Sequence, residues 1–93
     1  MKHIACYDIG NDKKRRLVSK LLVNYGFIRI QRSVYIGENI KNIEVLQKEI
    51  ENILENDEYS LFFGRVNNLD IYDGKNKISS DEILMTNKHY IFI

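Results

Sequence analysis

Two kinds of apolar periodicity alternate along this chain, and their order leaves few folds open. His3 to Ile9 is a dense apolar run broken only by Asp8. It is short and is followed by Gly10-Asn11-Asp12, which marks a buried strand. Leu17, Val18, Leu21, Leu22 and Tyr25 then recur at helical spacing. With Asn11 or Asp12 as cap, they predict a helix from Lys13 that ends at Gly26. Phe27, Ile28, Ile30, Val34, Tyr35 and Ile36 form one long extended segment, or two short strands around Gln31-Arg32-Ser33. After a turn at Gly37-Glu38-Asn39, Ile43, Leu46, Ile50 and Ile53 predict a second amphipathic helix over residues 40–56. Tyr59 to Val66 is a further strand. Residues 67–80 are polar, with a turn at Asp73-Gly74 and a short strand around Leu69–Ile71. His89 to Ile93 closes the sequence as a last short strand.

Strand, helix, strand pair, helix, strand is the order of an α+β, ferredoxin-like βαββαβ sandwich, here with an extra C-terminal strand. Residues 1–93 are expected to form that single domain. A chain of this size buries only roughly 60–65% of its unfolded surface, so help from a second copy is expected. Both helices would cover one sheet face. The other face and the apolar tail Tyr90–Ile93 then need cover. A homodimer whose tail joins the partner's sheet meets that need.

Several function classes are excluded or disfavoured. No apolar stretch approaches the roughly 18 residues of a membrane span. Met1-Lys2-His3-Ile4 leads straight into a strand, without a signal-peptide layout. The single Cys6 rules out an internal disulfide and a cysteine-rich metal site, and points to a reducing cytoplasm. Cys6 reads as a buried small hydrophobe, and His3 and His89 as strand residues. There is no Gly-rich phosphate loop, zinc-ligand spacing or serine-triad signature.

The net charge of +1 hides a division. Residues 1–37 hold eight Lys/Arg against two Asp/Glu, and residues 38–93 hold six against eleven. No acidic residue stands between Asp12 and Glu38. Lys13, Lys14, Arg15 and Arg16 open a helix where the macrodipole prefers anions, at a cost of about 0.3–1 kcal/mol per charge. A local rule broken in this way points to function, and Arg side chains beside helix-terminal N–H groups suit phosphate oxygens. Lys20, Arg29 and Arg32 extend the patch. In an unbroken strand Arg29, Gln31, Ser33 and Tyr35 would share one polar face. Tyr7 and Tyr35 could stack on bases. Asp8, at a strand end, suits a turn carboxylate or a ligand for a hard cation such as Mg²⁺. One aspartate per chain is thin for a metal; two across a dimer axis are adequate.

These residues together resemble a known family. Tyr7-Asp8-Ile9, Lys14-Arg15-Arg16, Leu21-Leu22, Tyr25-Gly26 and Arg29-Ile30-Gln31-Arg32-Ser33-Val34-Tyr35 look like CRISPR-associated protein two, the small dimeric partner of the CRISPR integrase. The resemblance implies a ferredoxin-like homodimer and a metal-dependent endonuclease, with Asp8 of each chain as catalytic ligand for Mg²⁺ (or another divalent ion such as Mn²⁺) at the interface. Tyr7, Arg15, Arg16, Arg29, Ser33 and Tyr35 match the surrounding motif, and the implied work is spacer acquisition on DNA, with RNA also open as a substrate. Two departures stand out: Ile36 follows Tyr35 where many members carry an acid, and Phe63-Gly64-Arg65 replaces a common proline. A non-catalytic DNA-binding scaffold and a toxin-like ribonuclease of the same fold are the alternatives.

Overall fold

The computed structural model describes residues 1–86. Nine elements follow in order: β1 (Lys2–Ile9), α1 (Asp12–Asn24), β2 (Ile28–Gln31), β3 (Val34–Glu38), α2 (Ile43–Leu54), β4 (Tyr59–Val66), β5 (Asp70–Asp73), β6 (Asn76–Ser79) and α3 (Ser80–Thr86). The first six make an antiparallel four-stranded sheet in the order β2-β3-β1-β4, with α1 and α2 packed on it. This is the expected ferredoxin-like α+β arrangement. The expected terminal strand, residues 89–93, lies outside the described residues.

Alternation along β1 builds the core. Ala5, Tyr7 and Ile9 point toward the helices and are buried against Val18 and Leu22 of α1 and Leu46, Ile50 and Leu54 of α2. Asn11 caps α1, its side-chain oxygen accepting from the Lys14 amide at 3.0 Å. Gly26 ends the turn after α1 at φ 105°, a conformation that a side chain would strain. The two helices are clamped at both ends. Lys14 Nζ lies 3.2 Å from Asp57 Oδ2, just past α2, and the Tyr25 hydroxyl donates to Glu49 Oε1 at 2.9 Å.

Three expectations change. The segment after α1 is a hairpin, and its register slips between Arg29 and Gln31. The slip and the turn at Arg32-Ser33 break the single polar face expected for Arg29, Gln31, Ser33 and Tyr35. Tyr35 instead faces the helices at 0% exposure. The second is α3, over a stretch where no element was expected; Ser79 Oγ accepts from the Glu82 amide at 3.3 Å and stabilises its first turn. Third, the second sheet face is partly covered by its own chain. Ile28, Ile30 and Ile36 pack against Ile83 of α3, with Leu69, Ile71 and Ile78 of the β5–β6 hairpin around them. The β1–β4 half of that face stays more open, with Phe62 at 66% exposure opposite Cys6.

Candidate nucleic-acid interface

A cleft of about 610 Å³ opens where the end of β1, the first turns of α1 and the β2–β3 turn meet. β1 contributes Tyr7, Asp8 and Ile9; α1 contributes Arg15, Arg16, Ser19 and Lys20; β2 and the turn contribute Arg29, Arg32 and Ser33. Helical spacing explains the second group. Arg16, Ser19 and Lys20 are three and four residues apart and share one helix face. The turn closes on β1 through the Tyr7 amide, which donates to the Ser33 carbonyl at 3.1 Å.

The cations of this cleft divide into two kinds. Arg15 Nη1 donates to the Ile9 carbonyl at 3.1 Å, and its other terminal nitrogen pairs with Asp12. Arg29 Nη2 donates to the Arg32 carbonyl at 2.9 Å and its Nε to the Gln31 carbonyl at 3.3 Å. These two arginines brace the backbone that frames the cleft. The side chains of Arg16, Lys20 and Arg32 make no hydrogen bond or ion pair to another of the described residues and are open to a ligand. Three uncommitted cations around one concave surface form an anion site of backbone-reading type, with no base-edge reader among them.

Of the residues singled out from sequence, Tyr7, Asp8, Arg15, Arg16, Arg29, Arg32 and Ser33 come together here. Lys13 and Lys14 do not line the cleft: Lys14 is tied to Asp57. Tyr35 is a correction. Fully buried beneath the cleft, it offers no ring face for a base to stack on. Tyr7 is only 5% exposed, and burial, followed by its contact with Tyr35, pushes its phenol pKa upward, so it remains a protonated hydroxyl. Ser19 was missed in the sequence because a serine on an amphipathic helix carries no signal of its own. Its position three residues after Arg16 is the clue available in hindsight.

Asp8 is exposed, and its carboxylate makes no hydrogen bond or ion pair to another of the described residues. It is the carboxylate of the cleft, and by strand alternation it shares the sheet face away from α1 and α2 with Cys6 and Phe62. No group of three or more His, Cys, Asp or Glu side chains among the described residues could hold a metal. Mg²⁺ binds through one or two carboxylates and keeps its waters, and Asp8 supplies one such hard oxygen donor.

A family model described as CRISPR associated protein Cas2 matches residues 1–78. Among characterised proteins, the chain is 35% identical over 63 residues to a CRISPR-associated endoribonuclease Cas2 of Archaeoglobus fulgidus, covering 67% of each chain. It is 33% identical over 54 residues to one of Pyrobaculum aerophilum, covering 53% of this chain and 57% of the relative. Among solved structures, Streptococcus pyogenes Cas2 superposes with a TM-score of 0.60 at 26% identity, over 72% of this chain and 87% of that one.

Proposed function

This chain belongs to the CRISPR-associated protein Cas2 family, and on that premise we propose that it is a metal-dependent endonuclease that acts in spacer acquisition as the dimeric partner of the CRISPR integrase. The relatives' name, endoribonuclease, carries over as hydrolysis of a phosphodiester bond, in RNA or DNA. The observation that carries the reading is the placement of Asp8 beside three uncommitted cations, Arg16, Lys20 and Arg32, in one cleft. The cations bind the phosphate backbone and offset its charge, while Arg15 and Arg29 hold the framing backbone in place. Asp8 from each of two copies would hold Mg²⁺, which when bound activates water and neutralises charge on the scissile phosphate. The exposed strip around Phe62, on the sheet face that carries Asp8, supports docking of the second copy there. We place the protein in the reducing cytoplasm, where its single free cysteine needs no partner.

The test is cleavage of single-stranded RNA and DNA in Mg²⁺ by wild type and Asp8→Asn, with the dimer followed by sedimentation. Asp8→Asn abolishes cleavage and keeps the dimer; unchanged cleavage removes Asp8 from the mechanism. One observation favours the scaffold alternative: among the described residues, a chain brings only one carboxylate to the cleft. Under that reading Arg16→Ala with Arg32→Ala impairs spacer integration by the cognate integrase, and Asp8→Asn leaves it intact.

A further inference from the structure

Three hydroxyls, those of Ser19, Tyr35 and Tyr7, are linked in a row at the floor of the cleft. The Tyr35 phenol oxygen lies 2.5 Å from Ser19 Oγ of α1 and 3.2 Å from the Tyr7 hydroxyl of β1. The Tyr7 hydroxyl lies 3.3 Å from the Arg32 carbonyl oxygen. A hydroxyl has one hydrogen and a carbonyl only accepts, so the order of donation is determined. Tyr7 donates to Arg32. Tyr35 therefore donates to Tyr7, and Ser19 to Tyr35. The chain runs one way, from α1 through β3 and β1 to the β2–β3 turn.

Its two ends are the two pieces that carry the uncommitted cations. Ser19 sits three residues after Arg16 and one before Lys20. The carbonyl at the other end belongs to Arg32 itself. Apart from the Arg15–Ile9 hydrogen bond at its first turn, the contact between α1 and the sheet is apolar, through Val18 and Leu22. Apolar packing is not directional and does not by itself fix how far a helix is rotated. A satisfied buried hydrogen-bond chain is directional and rigidifies the elements it joins. We propose that Ser19 is a positioning residue whose hydroxyl, acting through Tyr35 and Tyr7, holds Arg16 and Lys20 in register with Arg32 so that the three meet one phosphate backbone. This rests on the backbone-binding reading above.

The experiment compares wild type, Ser19→Ala, Ser19→Thr, Tyr7→Phe and the double variant Ser19→Ala/Tyr7→Phe. A fluorescein-labelled single-stranded oligonucleotide is titrated over a range of salt, and amide exchange at Tyr7 and thermal melting are followed in the same samples. Ser19→Ala weakens binding by about three- to tenfold, the effect of one net hydrogen bond. It also flattens the salt dependence and speeds exchange of the Tyr7 amide, which holds the turn through Ser33. Ser19→Thr restores all three, because it keeps the hydroxyl. Tyr7→Phe, cutting the chain at its other end, reproduces the loss, and the double variant loses no more than the worse single one, as members of one unit do. Wild-type affinity and salt slope in Ser19→Ala, or a fully additive double variant, overturn the proposal. A wild-type protein with no salt-dependent binding overturns the backbone reading instead; unchanged Tyr7 exchange in Ser19→Ala then still overturns the linkage.

Discussion

Lys14 and Arg16 are two residues apart in one basic run, carry the same charge and differ in what surrounds them. The Arg16 side chain lines the cleft without a partner among the described residues, whereas Lys14 Nζ lies 3.2 Å from Asp57 Oδ2, with the Lys14 and Asp57 side chains each less than a third exposed. Counterion release turns that difference into a measurement. Three uncommitted cations per chain give a slope of log affinity against log salt of about −2 for a single-stranded ligand, or a roughly 20-fold loss between 50 and 200 mM salt. Arg16→Ala removes one contact, so the slope falls to about −1.4 and the loss over the same range to roughly sevenfold. Lys14→Ala leaves the slope unchanged. It costs instead about 0.2–1 kcal/mol of stability, the worth of such an ion pair, which urea unfolding of the same preparation reads. Fluorescence anisotropy at four or five salt concentrations supplies the slopes. If Lys14→Ala flattens the slope as much as Arg16→Ala, cation placement in the cleft does not govern binding, and only the total basic charge does.

Other perturbations test the fold that holds the cleft. A Cβ added at Gly37 would stand 2.6 and 2.8 Å from two side-chain carbons of Ile40 and 3.2 Å from Phe27. Gly37→Ala therefore costs about 1–3 kcal/mol as overpacking, and thermal melting shows it as a drop of several degrees. The pKa of His3 is lowered from 6.5 by burial first, then by Arg65 and the N-terminus. Its unfolded form thus binds more protons just below pH 6.5, so its contribution to stability is complete above that pH and is lost as pH falls toward the folded value. Urea unfolding at pH 7.5 and 5.5 checks this, and a His3→Gln chain that loses as much stability on acidification would contradict it. Phe62→Glu places a charge on the exposed sheet face that carries Asp8. If the proposed dimer docks through this face, the variant sediments as a monomer with the circular dichroism of the fold retained; an intact dimer would move the interface elsewhere.

The elements whose periodicity ran unbroken were the ones legible in the sequence. β1, α1, α2 and β4 all appear close to their expected limits, and α2 runs Ile43–Leu54 inside the expected 40–56. Long amphipathic segments announce themselves because one face must be buried for the helix to persist. The hairpin at Arg32-Ser33 was left open, since its strands have only four and five residues and the slip between Arg29 and Gln31 breaks the period of two. α3 is shorter than two full turns, and its apolar residues, Ile83, Leu84 and Met85, are consecutive and set no helical period that would distinguish it from coil. The cover it supplies to the sheet could not be anticipated without it.

The sequence by itself determined the order of the elements up to β4, the apolar run that makes β1 a buried strand, and the gathering of basic residues in the first forty positions. Composition and spacing carry those facts because they act along the chain. Only the tertiary structure decided which charges are free. Lys14, Arg15 and Arg16 are consecutive and chemically alike, yet one meets Asp57, one the Ile9 carbonyl and Asp12, and one the open cleft. The same holds for Tyr35, drawn into the core at the floor of the cleft, and for Ser19, which gains its role from a phenol sixteen residues away. Partners distant in sequence assign these roles, and folding alone brings them within hydrogen-bond reach.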